Sequence, residues 1–181
     1  LIDIQKGFDQ PYWGKRNNAE MENNVEKILA AWRLAGLSVV HIRHDSTEND
    51  SPLRPGQSGN EFKDVAKPLA GEHLESKTVN SAFIGTNLEN YLRRNKFENL
   101  VLCGLTSDHC VSTTTRMAAN LGFNAILPAD ALATFDRTGY DGRQWPAEDV
   151  HQCSLASLNG EFATVIITDD LLQALTRFRV N

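Results

Sequence analysis

Five short apolar runs punctuate the chain, at residues 1–4, 37–42, 100–103, 125–127 and 164–167, each of strand length and rich in Val, Ile and Leu. Between them apolar residues recur at helical spacing. Val25, Ile28, Leu29 and Trp32 make one stripe that stops at Gly36, and Leu88, Tyr91 and Leu92 make a second. Val111, Thr114, Ala118 and Leu121 make a third, and Val150, Ser154, Leu155 and Leu158 a fourth. Strands alternating with helices predict the α/β class: a three-layer α/β/α, Rossmann-like fold with a mainly parallel sheet flanked by helices. Ligands of such sheets sit beyond the carboxyl ends of the strands, where Asp3 and the residues after Cys103 fall.

Two stretches break the alternation. Residues 45–68 are polar, hold Pro52, Pro55, Gly56 and Gly59, and exceed the usual crossover length, so they are a candidate lid or subunit contact. Residues 129–146 are irregular as well and carry Phe135, Arg137, Tyr140 and Trp145.

The chain has 181 residues, 41% of them apolar, enough for one core, and nothing resembles a linker; a single domain over 1–181 is expected. A net charge of −5 with scattered Lys and Arg points away from nucleic acid and anionic membranes and toward a small-molecule substrate. Three cysteines without Cys-x-x-Cys spacing indicate neither a disulfide framework nor a zinc knuckle, and a reducing, cytoplasmic setting is expected. There is no apolar run long enough to span a bilayer and no basic-then-apolar leader.

The candidate chemistry lies in Leu102-Cys103-Gly104-Leu105-Thr106-Ser107-Asp108-His109-Cys110-Val111, where a buried strand turns into a helix. Cys110 then sits in the first helical turn, where free N–H groups and the macrodipole favour a thiolate. A nucleophilic thiol needs a base and usually a cation. Asp3, an acid interrupting an apolar strand, and Lys77, in Glu75-Ser76-Lys77-Thr78-Val79-Asn80-Ser81-Ala82-Phe83, are the candidates.

These segments, with Asp3-Ile4-Gln5 and Asp130-Ala131, resemble the isochorismatase-like cysteine hydrolase family, which includes nicotinamidases, N-carbamoylsarcosine amidase and isochorismatase, and the resemblance spans nearly the whole chain. It implies a triad of Asp3, Lys77 and Cys110 and a cis peptide between Leu105 and Thr106. It also implies an oxyanion hole from the backbone N–H groups of Thr106 and Cys110, no cofactor, and a homo-oligomer, dimer or tetramer. The implied activity is C–N hydrolysis of a small amide through a thioester. Isochorismatase-type vinyl-ether hydrolysis and a non-catalytic ligand-binding or assembly role are the alternatives. An ammonium ~4 Å from a thiolate contributes roughly 4 kcal/mol at an effective dielectric of 20, so a depressed thiol pKa is expected.

Phe8, Tyr12, Trp13, Phe83 and Phe135 are candidate pocket walls, and Arg54 and Arg137 candidate partners for a substrate carboxylate. Cys103 and Cys153 are read as packing residues. His109, one residue from Cys110, points about 100° away on a helix and is not expected to reach its sulfur. His41 and His44, three apart on a strand, face opposite sides, so no metal site is expected, and the Asp-x-His…His metal pattern of nicotinamidases is not reproduced in His41-Ile42-Arg43-His44-Asp45. Glu72 either orients Lys77 or shapes a turn.

Overall fold

The computed structural model describes residues 1–180. Strands β1 (Val40–His44) and β2 (His73–Lys77) pair in parallel, Val40 opposite His73 and His44 opposite Lys77. β3 (Asn99–Val101) leads into β4 (Gly104–Leu105), and β5 (Asn124–Pro128) into β6 (Leu132–Ala133); β3 pairs with β5 and β4 with β6, both in parallel. β7 (Arg137–Thr138) and β8 (Gln144–Trp145) form a small antiparallel hairpin, and β9 (Thr164–Ile166) adds to β5 in parallel. The helices are α1 (Met21–Leu34), α2 (Leu88–Arg94), α3 (Cys110–Asn120), α4 (Ala147–Leu158) and α5 (Thr168–Val180).

Ile2 stitches the halves together, bridging Ile42 on one side and Gly104 on the other. The spatial order is therefore β2, β1, the first residues of the chain, β3/β4, β5/β6, β9. Alternate side chains feed two cores. Ile2, Leu102, Ala125 and Leu127 pack with Leu88, Leu92, Val111, Ala118, Leu155 and Leu158 of α2, α3 and α4. Cys103 and Leu105 pack on the other face with Met21, Val25, Ile28, Leu29 and Leu171 of α1 and α5, joined by Ile4, which the turn at Asp3 carries to that side. This period-2 division of one parallel sheet between two helical layers is the three-layer α/β arrangement the apolar pattern predicts.

The differences from expectation have local causes. In residues 1–4 only Ile2 pairs, because Asp3 takes φ +52° and turns the chain out of the sheet. The run at 37–42 begins its strand at Val40, since the Leu37 N–H is still engaged with Trp32 O at 3.0 Å behind α1. β2 was not foreseen: as an edge strand it mixes His73, Glu75 and Ser76 with a half-exposed Leu74, which hides the alternation. α5 was not foreseen either.

Residues 45–68 are tied to the start of the chain and to the end of β1 by hydrogen bonds. Lys6 N–H donates to Glu61 O at 2.9 Å and Lys63 N–H to Ile4 O at 2.9 Å. The buried Asn60 amide donates to His44 O and Leu53 O at 3.0 and 2.8 Å. Among the described residues no helix is long and apolar enough to cross a membrane.

Candidate active site

Gly104 decides how closely the first residues approach the segment that precedes α3. Its φ is +124°, and a Cβ there would lie 2.0 Å from Ile2 O. Only glycine lets that backbone contact form, and the contact carries Asp3 to the carboxyl end of the sheet beside Cys110. A tight turn follows. His109 and Val111 N–H both donate to Thr106 O at 3.1 Å, and Cys110 becomes the first residue of α3. Lys77 arrives by register, as the last residue of β2 opposite the last residue of β1.

The three side chains meet in the interior. Lys77 Nζ donates to Asp3 Oδ2 at 2.6 Å and to Cys110 Sγ at 3.3 Å. The Asp3 and Lys77 side chains have no solvent exposure, and Cys110 is buried. The Leu105–Thr106 peptide is cis. Neither the Thr106 nor the Cys110 backbone N–H has an acceptor among the described residues, which leaves two donors in the turn beside the sulfur.

Burial and the Asp3 charge push the Cys110 thiol above its ordinary range, against the opposing pull of Lys77. The expected depression therefore does not hold in the resting site, because burial outweighs the pull of the ammonium. The ammonium stands closer to Asp3 than to the sulfur, so most of its charge is already neutralised. Asp3 Oδ1, meanwhile, is buried with no hydrogen-bond partner. The arrangement is a thiol next to a carboxylate oxygen with an open lone pair, and the pair shares one cation.

A cavity of about 200 Å³ opens onto these groups and is lined by Asp3, Phe8, Trp13, His44, Asn80 and Cys110, with Glu48, His109 and Arg137 further round its wall. Phe8 and Trp13 thus face the thiol's cavity. Phe135 does not line it; it is buried behind, its ring 6.0 Å from Phe8 and 5.9 Å from Trp13. Phe83 lies elsewhere, stacked on Phe123 at 5.9 Å beside a separate apolar cavity of about 260 Å³ whose lining carries no ionisable side chain. It does not wall the thiol's cavity, because Ala82 and Phe83 pack into the core formed by α2 and α3.

The sequence model of the Isochorismatase domain matches residues 1–170. The chain belongs to the isochorismatase family. It is 45% identical to the isochorismatase family protein YrdC of Bacillus subtilis over 95% of this chain and 92% of that one. A crystal structure of an isochorismatase-family protein from Chromobacterium violaceum superposes with a TM-score of 0.95 at 46% identity, covering 98% of this chain and 92% of the other. A streptothricin hydrolase of Streptomyces noursei is 33% identical over 75% of this chain and 49% of its own length. The N-carbamoylsarcosine amidase of an Arthrobacter species is 32% identical over 84% of this chain and 60% of its own. The family is one of hydrolases, with amidase-type members among the relatives.

For this isochorismatase-family chain the remaining candidates sort by their contacts. Arg137 reaches the cavity but is held by Asp108, with Nε 2.8 Å from Oδ2, and Arg54 binds Asn49 O at 3.1 Å on the exterior. Glu72 does not touch Lys77; its carboxylate accepts from Arg33 Nε and from Leu69 N–H, both at 2.8 Å, and meets His41 Nε2 at 2.8 Å. His109 stands 3.4 Å from Asp108 Oδ2 and is largely exposed. Cys103 is buried as expected, whereas Cys153 is exposed on the outer face of α4 and is no packing residue.

Two contributors escaped the sequence reading, His44 and Asn80. Asn80 Oδ1 stands 3.7 Å from Cys110 Sγ, and His44 Nδ1 stands 3.0 Å from Lys77 Nζ. Asn80 lay inside the Lys77 motif without a stated role, and His44 could be found only from the register of β1 against β2. Asp3, His44 and Cys110 carry ligand-type atoms within 4.8 Å of one another, but the Lys77 ammonium contacts all three and so already supplies a cation to that cluster.

Proposed function

We propose that this protein is a cysteine hydrolase that cleaves a C–N bond of a small amide, with Cys110 as nucleophile, Asp3 as general acid and base, and Lys77 as stabiliser of the thiolate. The observation that carries this reading is the buried Lys77 ammonium shared between Asp3 Oδ2 and Cys110 Sγ, with Asp3 Oδ1 left free to take the thiol proton. Burial and the Asp3 charge favour the protonated thiol at rest, so the proton must pass to Asp3 for the sulfur to attack. As the S–C bond forms, the Cys110 proton passes to Asp3 and the carbonyl oxygen becomes an oxyanion, for which the Thr106 and Cys110 N–H groups are the donors.

Collapse of that intermediate breaks the C–N bond, and Asp3 returns the proton to the departing amine or ammonia. Asp3 then takes a proton from water as it attacks the thioester, and the acid product leaves with the thiol restored. The amidase among the relatives supports a C–N bond as the target.

The test is ammonia or amine release from a panel of small carboxamides and carbamoyl compounds by wild type, Cys110→Ala and Asp3→Asn. Loss of turnover to background in Cys110→Ala, and a fall of at least about 10²-fold in Asp3→Asn, is expected. Full turnover in Cys110→Ala would reject the nucleophile. Isochorismate turnover undiminished by that substitution would assign acid-catalysed vinyl-ether cleavage instead.

A further inference from the structure

Lys77 has three N–H bonds and three acceptors: Asp3 Oδ2 at 2.6 Å, His44 Nδ1 at 3.0 Å and Cys110 Sγ at 3.3 Å. The second of these, His44, is held by several hydrogen bonds. Gln5, fully buried, donates from Nε2 to His44 O at 3.0 Å and accepts the His44 N–H on Oε1 at 2.8 Å. Asn60 donates to the same carbonyl at 3.0 Å. Two buried amides thus fix the backbone at the end of β1, and β1–β2 register sets His44 opposite Lys77.

We infer that His44 is a positioning residue for the Lys77 ammonium, whose neutral Nδ1 takes one N–H so that the other two stay divided between Asp3 and the Cys110 sulfur. This rests on the cysteine hydrolase reading above and deepens it. Without the imidazole acceptor the ammonium is drawn further toward the Asp3 carboxylate, its stronger partner, and its hydrogen bond to the sulfur weakens. The neutral form is the only one that can accept this bond, and it places the remaining ring proton on Nε2. Burial first and then the adjacent Lys77 charge lower the imidazole's pKa, while Asp3, Asp45 and Glu48 oppose the shift. The site therefore keeps the acceptor form at neutral pH.

Alkylation of Cys110 by iodoacetamide as a function of pH, followed by peptide mass mapping, reads the ammonium's position without any substrate. His44→Leu should move the Cys110 midpoint upward by about one pH unit, a tenfold loss of thiolate at a given pH. His44→Asn, whose side-chain oxygen can stand near the Nδ1 position but cannot ionise, should return the midpoint to within about 0.3 unit of wild type. A merely structural role would give parallel losses of stability in both variants with the midpoint unchanged, and that outcome overturns the inference. Should the Leu variant fail to fold, His44→Ala, which keeps both backbone clamps, takes its place. Because the readout is thiol ionisation, failure of the amide panel would reject the proposed function without touching this result, and an unmoved midpoint would reject the role of His44 alone.

Discussion

Lys77 Nζ lies 2.6 Å from Asp3 Oδ2, and neither side chain reaches solvent. A buried pair of this kind gains less from attraction than it costs to break, since removing one partner strands the other's charge in the interior. Lys77→Met should therefore destabilise the fold by about 3–5 kcal/mol. The double variant Asp3→Asn/Lys77→Met should recover much of that loss while remaining inactive. Urea unfolding of wild type, Asp3→Asn, Lys77→Met and the double variant checks this; a double variant no more stable than Lys77→Met alone would show that the pair matters through packing.

The three thiols should separate cleanly under alkylation. Cys153, exposed on α4, should label first at pH 8. Cys110 should label slowly there and accelerate only as pH climbs past the ordinary thiol range, because burial and Asp3 favour its protonated form. Cys103, fully buried with its thiol pushed up to about 12, should stay unmodified until the protein unfolds. Rapid Cys110 labelling below pH 7 would instead mean that Lys77 dominates.

His41 links stability to pH. Its side chain is fully buried, and burial above all lowers its pKa from 6.5 to about 4. A folded-state value below the unfolded one means that protonation favours unfolding. The stabilisation is present above pH 6.5 and is lost as pH falls toward 4. The span corresponds to at most about 3 kcal/mol. His41→Gln should flatten that portion of the profile of melting temperature against pH, and an unchanged slope would assign it to other groups.

Gly104 should be intolerant of the smallest side chain. With φ at +124° and the Cβ position 2.0 Å from Ile2 O, Gly104→Ala must separate the first residues from β4 or deform both. A loss of at least about 3 kcal/mol is expected. Turnover should fall further than stability does, since the displaced residues include Asp3. Activity per folded molecule, measured well below the melting temperature, separates the two effects.

Much of the architecture was legible because the residues that build a parallel sheet announce themselves locally. Apolar runs at 100–103 and 125–127 and the helical stripes behind them depend on near neighbours, and burial follows from their period. The edge strand His73–Lys77 was not legible, because one of its sides needs no apolar row. The motif residues Asp3, Lys77 and Cys110 stood out through their segments, and the cis bond at Leu105–Thr106 was expected from the same source.

Residue types and their local spacing were sufficient to nominate a thiol, an acid and an amine at strand ends, since a strand-to-helix turn and an acid in an apolar run are properties of short segments. Their distances were not, because the Asp3–Lys77 contact spans 74 residues and the Lys77–Cys110 contact 33. The sign of the thiol's shift depended first on how deeply the fold buries the sulfur and then on the Asp3 charge placed beside it, both set by tertiary packing. Pocket membership was likewise a question of side-chain direction, which set Phe8 and Trp13 in the wall of the thiol's cavity and stacked Phe83 on Phe123. His44 entered the site only when β1 and β2 paired in register, because adjacency across a sheet is created by hydrogen bonds between strands and has no trace in the order of the residues along either one.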